Sequence, residues 1–412
     1  MRPGYKQTDA GIVPEDWDVD PLGNHVQITS GESPSGLQLG SNGRPYFKVE
    51  QLGSSEKYLD RNSTPYHFVI GPTVPSQSVV FAKRGAAIAL NKVRILSEDS
   101  FMDTNLMALT PSQGLESEYL HYALAHIGLW KLADTTSVPQ INNKHIKPLL
   151  FPLPRVKEQR AIAAALSDVD SLLSGLDRLI AKKRDLKQAT MQQLLTGQVR
   201  LPDFHGEWEV STVGREFEVQ LGKMLDAEKN VGVPKPFIGN KAVQWDGIDV
   251  SELTTVPMSR SDIERFRLSK GDLLVCEGGE VGRAAIWEAP IEECYYQKAL
   301  HRLRPIRGFN SRLMAAILRL WSDGSTLLNY VTQTSIAHLP REKFMEVPIP
   351  VPSPTEQSAI AAVLFDVDAE LAALGARREK TRALKQGMMQ ELLTGRTRLV
   401  PRGHTALAEV TT

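Results

Sequence analysis

Amide and ammonium side chains are concentrated in one short stretch, Val138-Pro139-Gln140-Ile141-Asn142-Asn143-Lys144. Gln and Asn can bond an adenine edge through two atoms, and Lys can contact guanine or a phosphate, so this is chemistry suited to a nucleic acid. A plain connecting loop is an equal reading of each residue taken singly. The matching stretch later in the chain, Ile336-Ala337-His338-Leu339-Pro340-Arg341-Glu342, carries different chemistry. Cationic groups that could join such contacts are Lys83, Arg84, Lys92 and Arg94 before the first stretch, and Lys223, Arg283, Lys298 and Arg302 before the second. Gln140, Asn142, Asn143, Lys144, Ser335 and Arg341 complete the candidate set, and a solvated surface role competes for every cation in it.

Groups that would do covalent chemistry are not arranged for it. No GxxxxGKS/T loop, no GxGxxG after a strand, no HExxH, no GxSxG and no NPPY-like or DPPY-like tetrapeptide occurs. Gly278-Gly279-Glu280-Val281-Gly282 lacks the spacing of a dinucleotide loop and is expected as a tight turn. His121 and His126 lie five apart, wrong for a ligand pair on a helix, and read as packing or surface residues. Asp168 and Asp170 recur as Asp366 and Asp368 and are expected on a solvated helix face. Asp185-Leu186-Lys187, the nearest match to a nuclease carboxylate–lysine cluster, falls inside a helical repeat. The expectation is a chain with no catalytic residue, no metal site and no cofactor of its own.

The elements that must position the candidate contacts are read from a duplication. Pro152 to Leu201 and Pro350 to Leu399 align without a gap at an offset of 198, with about half the positions identical. Ile162, Leu166, Val169, Leu173, Leu176 and Ile180 alternate spacings of four and three, which is a heptad seam. Ile360, Leu364, Val367, Leu371 and Leu374 repeat it and then depart at Arg378. No proline interrupts either stretch before Gly197 and Gly395, which suit a left-handed position after a helix. Ser353-Pro354-Thr355-Glu356 has the pattern of a capping box with proline at the first helical position. Each helix should run about 40 residues, or about 60 Å at 1.5 Å per residue. Such a stripe must pair, either antiparallel within the chain about a pseudo-two-fold axis or between chains. The in-chain arrangement would hold two globular domains apart at a set distance.

The similarity continues more weakly upstream, where Trp17-Asp18-Val19 matches Trp208-Glu209-Val210 and Gly31 matches Gly222. Between these anchors the halves diverge: a shared frame with different contents. Val79 to Ala82 and Asp272 to Cys276 read as strands leading to glycine, and Glu118 to Leu132 and Ser311 to Leu320 as helices. Mixed α+β domains follow. Lys+Arg and Asp+Glu are both 48, so bulk charge selects no partner. Cys276 and Cys294 are the only cysteines, which excludes a disulfide scaffold and a zinc ribbon. With no apolar run of 18 residues and a polar start, neither a membrane span nor a signal peptide is expected, and a cytoplasmic location is.

Taken together, these features resemble the specificity subunit of a type I restriction-modification system. The resemblance is carried by Ile12-Val13-Pro14-Glu15-Asp16-Trp17, by Pro152-Leu153-Pro154 with Glu158-Gln159 and Ile162, and by Leu194-Leu195-Thr196-Gly197. Second copies stand at Pro350-Val351-Pro352, Glu356-Gln357, Ile360 and Leu392-Leu393-Thr394-Gly395, so nearly the whole chain is covered. It implies an α+β fold with two pseudo-symmetric target-recognition domains, residues 1–150 and 201–348, separated by two long antiparallel helices forming a coiled coil, residues 151–200 and 349–400. Residues 401–412 are expected as a disordered tail. Each domain would read one half of a split, asymmetric site in double-stranded DNA. Two modification (methyltransferase) subunits per chain, and restriction subunits, would dock on it, with no membrane involved. S-adenosylmethionine would belong to the modification subunit, and ATP with Mg to the restriction subunit. The residues that touch bases do not carry over from the family. The alternative is a coiled-coil scaffold that pairs two partner proteins without reading a sequence.

Overall fold

The two repeats, uninterrupted by proline beyond their first helical position, become the longest elements of the structure, a computed structural model that describes residues 3–34, 38–134, 137–226, 230–245, 247–324, 326–333 and 337–400. They are the helices Val156–Leu195 and Pro354–Leu392, of 40 and 39 residues. Each is followed by its glycine in the left-handed region, Gly197 at φ +71° and Gly395 at φ +68°. The chain divides into two units, one of residues 1–177 with the return from 376 onward, the other of residues 178–375. Each long helix is therefore shared, one part to each unit.

In the first unit a five-stranded sheet runs in the order Val26–Ser30, Leu106–Pro111, Val79–Ala82, Arg94–Leu96, Tyr58–Leu59. Its pairings are antiparallel except the last. All four residues of the central strand are buried, because both faces of the sheet are covered. Val79 and Phe81 face one apolar cluster and Val80 and Ala82 the other, the period of two that a strand dictates. The first cluster contains the helix Ser117–Ile127 (Tyr119, Leu120, Tyr122) and the ends of both long helices: Ile162, Ala163 and Leu166 with Leu392 and Leu393. The short helix stops at Ile127 rather than running on to Leu132, because Gly128 takes φ +86° and the chain turns into a 3-10 segment, Leu129–Lys131. Strand Gln38–Phe47 pairs antiparallel with His67–Ile70 and parallel with Phe101–Met102.

The second unit repeats this plan with other residues. Its sheet runs Phe217–Leu221, Leu300–Pro305, Leu273–Cys276, Ala284–Ile286, all antiparallel. Leu273 and Val275 face a cluster with the helix Ser311–Asp323 and the long-helix ends Met191, Leu194, Leu195, Ile360, Ala361 and Leu364. Leu274 and Cys276 face a separate cluster with Trp287 and Tyr295. Strand Val233–Ile238 pairs parallel with Tyr295–Tyr296, as Gln38–Phe47 does with Phe101–Met102. The divergent interiors therefore share one topology. In this unit Phe266 closes a short helix, Arg260–Phe266, capped by Ser259, whose hydroxyl accepts the Asp262 N–H at 3.2 Å. The Gly31–Gly222 match has a steric cause. A Cβ at Gly31 would stand 1.9 Å from the Asp103 carbonyl oxygen, and one at Gly222 2.3 Å from that of Gln297.

Within each unit the two long helices lie antiparallel, their partners numbered in opposite directions. In the first unit Asp170 meets Lys385 at 2.6 Å and Asp177 meets Arg378 at 3.3 Å. In the second, Lys183 meets Glu370 at 2.8 Å and Lys187 pairs with Asp368. Arg378, where the heptad seam departs, is thus an ion-pair position. Asp170 and Asp368 are cross-links between helices rather than plain solvated groups, while Asp168 and Asp366 do face solvent. Asp170 also accepts the Tyr122 hydroxyl at 2.6 Å, tying the first sheet's helix to the pair. Of the seam, Ile162, Leu166, Leu176, Ile180, Ile360 and Leu364 are buried, and Val169, Leu173, Val367, Leu371 and Leu374 half-buried.

The repeated Glu-Gln dipeptide joins helix to domain. Glu158 is buried and accepts Trp17 Nε1 at 3.0 Å and Arg398 at 2.5 and 2.8 Å. Glu356 is buried and accepts Trp208 Nε1 at 3.0 Å and Arg200 at 2.6 and 2.7 Å. Half of the expected capping box is therefore made: Ser353 Oγ accepts the Glu356 N–H at 3.3 Å, but the Glu356 carboxylate turns to Arg200. Gln159 accepts the Glu116 N–H at 2.9 Å, and Gln357 that of Asn310 at 2.8 Å.

Candidate nucleic-acid interface

In the first domain the register sets Ser30 against Met107 and Ala82 against Leu106, so the ends of these strands share one edge of the sheet. The chain leaves the central strand at Lys83. The Lys83 N–H donates to the Asn105 carbonyl at 2.8 Å, and the Lys83 carbonyl accepts the Ile141 N–H at 2.9 Å. Gly85 donates to Pro139 at 2.9 Å, and Arg84 bridges Gln140. These backbone bonds bring the amide-rich stretch against the cations that precede it by more than fifty positions. Ile141 and Ile146 anchor it in the core, which leaves Asn142, Asn143 and Lys144 exposed at the start of the short helix Asn143–Ile146. Arg84 is exposed; Lys83 is half-buried, donates to Ser30 Oγ at 2.9 Å, and is pushed below the usual lysine pKa by burial and by Arg84.

The second domain builds the same edge with other side chains. Glu277 follows the central strand; its N–H donates to Ala299 at 2.9 Å, and its carbonyl accepts the Leu339 N–H at 2.8 Å. Gly278 bridges His338, as Arg84 bridges Gln140. Gly279 and Gly282 take positive φ in the expected tight turn, in which the Gly282 N–H returns to Cys276 at 3.0 Å. Lys298 is exposed and bonds Lys223 through its backbone.

Several candidate cations are engaged inside the fold. Arg94 is buried and donates to the Ser55 and Val93 carbonyls at 2.7 Å. Arg302 is buried and paired with Glu218 at 3.2 Å. Lys223 pairs with Asp262 at 2.9 Å, Arg283 with Glu280 at 2.6 Å, and Arg341 donates to the Val219 carbonyl at 2.6 Å. Lys92 is half-buried beyond the left-handed Asn91. Ser335 and the tail 401–412 lie outside the described residues. His121 is buried against Tyr122, and burial pushes its pKa down to about 3, so it is a neutral packing residue. Glu277 was missed by a reading that looked for positive charge; the signal available to it was its place directly after a fully apolar strand.

Two globular sheets with equivalent loop edges, on a duplicated helical frame, define a paired-module binding protein. The chain belongs to the type I restriction modification DNA specificity domain family, whose model matches it twice, over residues 14–182 and 205–381. It is similar to the MjaX specificity subunit of Methanocaldococcus jannaschii, at 25% identity over 96% of this chain and 97% of that one. The MjaVIII type I restriction enzyme specificity subunit of the same organism is 21% identical over 96% of each chain. Among solved structures, the S subunit of a type I restriction-modification system from M. genitalium shares the fold with a TM-score of 0.55, at 17% identity, covering 95% of this chain and 99% of that one. The HsdS subunit from Thermoanaerobacter tengcongensis does so at 0.54 and 18% identity, covering 93% and 98%.

Proposed function

We propose that this chain reads a bipartite, asymmetric site in double-stranded DNA for a type I restriction-modification complex, one half-site at each loop edge. The observation that carries this reading is one set of backbone bonds holding two different sets of side chains, Lys83, Arg84 and Gln140 at one edge and Glu277, Gly278 and His338 at the other. Phosphate contacts would position each module and base-edge contacts would specify. A scaffold that pairs partners without reading a sequence leaves that divergence without a cause. The long helices would set the spacer and offer their outer faces to two modification subunits and to the restriction subunits. Methyl transfer with S-adenosylmethionine, and ATP–Mg chemistry, would then reside in those partners and no catalytic step in this chain. No helix among the described residues is long and apolar enough to cross a membrane, and we place the complex in the cytoplasm. Exchanging residues 1–150 for those of another specificity subunit, followed by mapping of methylated adenines, tests the reading. One half of the methylated sequence should change while the other half stays. An unchanged sequence overturns it.

A further inference from the structure

The loop edges differ most at the residue that follows the central strand. Lys83 and Glu277 hold the same backbone place: each donates its N–H to the residue directly before the strand that pairs beside it, Asn105 or Ala299, and each accepts the N–H of a buried apolar residue, Ile141 or Leu339. One side chain is donor-only and the other, when ionised, acceptor-only. We propose that Glu277 is a specificity-determining residue of the second half-site, its carboxylate accepting from the exocyclic amino group of a cytosine in the major groove. The proposal rests on the DNA-reading role given above and names what one residue does in it.

Three observations carry it. Against a polyanion a carboxylate gains nothing from phosphate, so it is tolerated at such an edge where it finds a donor; cytosine N4 is the base-edge donor that Glu and Asp match. The Glu277 carboxylate is half-buried and makes no side-chain hydrogen bond or ion pair among the described residues. Burial raises its pKa above the usual glutamate range, the cost of an acceptor held without a donor, while His338 and Lys298 beside it act in the opposite sense. Lys298 is itself exposed and makes no side-chain hydrogen bond or ion pair among the described residues; its charge acts on Glu277, and beside that carboxylate it could take the phosphate that would position the base.

The test uses the complex of this chain with its modification subunit, with methylated adenines mapped and binding measured on duplexes that vary one base pair at a time. Glu277→Gln, which can both donate and accept, should lose the preference for C·G at one position of the second half-site, by about tenfold or more. Lys83→Gln should alter the first half-site alone. Glu277→Ala serves as a second variant, and unchanged thermal unfolding of each checks the fold. If both Glu277 variants keep the wild-type sequence and rate at both half-sites, the proposal is overturned. A uniform loss of rate with the base preference intact also overturns it, because that marks a structural role. If the wild-type complex itself methylates no bipartite site, the DNA-reading role fails, and this proposal with it.

Discussion

Glu158 and Glu356 are buried carboxylates that each serve a tryptophan and an arginine from distant parts of the chain. Their surroundings are not equal. Arg398 also pairs with Asp16 at 2.8 Å, whereas Arg200 meets no second carboxylate among the described residues and donates instead to the Gly206 carbonyl. Removing one partner of a buried ion pair is costly because the other charge is stranded. Glu356→Gln should therefore lower stability by about 2–4 kcal/mol, and Glu158→Gln by less, since Asp16 still neutralises Arg398. Chemical denaturation of the two variants side by side checks the order; equal losses would refute the explanation. The Glu-Gln repeat was plain in the sequence, but its partners were not. Trp17 and Arg398 lie hundreds of positions apart, and no local periodicity joins them.

The long helices were the most legible elements, because heptad spacing, absence of proline and a terminal glycine all act within a few residues of one another. The sheets were less so. Several strands are two to four residues long, and the parallel pairing of Phe101–Met102 with Tyr46 and Phe47 depends on contacts far apart in sequence. Burial of Arg94 and Arg302 was equally hidden, since arginine in a short strand reads as surface. The helix register gives a prediction. The Asp170–Lys385 pair in the first unit and the Asp368–Lys187 pair in the second each require an antiparallel alignment of the two helices. Four residues inserted after Leu179 alone should break one of them and reduce methylation sharply. A matching insertion after Gly375 should restore activity with a spacer longer by about 6 Å, roughly two base pairs. Mapping the methylated sites in both variants decides it; the original spacing at a normal rate in the single insertion would count against helix-set spacing.

At the scale of the whole molecule, the first unit is completed by distant chain, while the second is one continuous stretch. Leu392 and Leu393 lie in the core of the first domain, and the Tyr5 hydroxyl donates to the Gly395 carbonyl at 2.9 Å. A chain ending at Gly375 should therefore lose protection in residues 1–177 while residues 178–375 keep theirs, as read by hydrogen exchange. Exposure confined to the second unit would contradict this.

The same closure has a temporal side. A ribosome releases the first sheet before the second, yet the leucines that seal it, at 392 and 393, emerge only after the second is made, whereas the second sheet draws its sealing residues from 191–195 and 360–364. The module translated later can finish folding earlier, and the first must wait, partly open, until residues 392 and 393 have been made. A stop introduced between residues 375 and 392 would thus spare the lobe just translated and injure the one made before it.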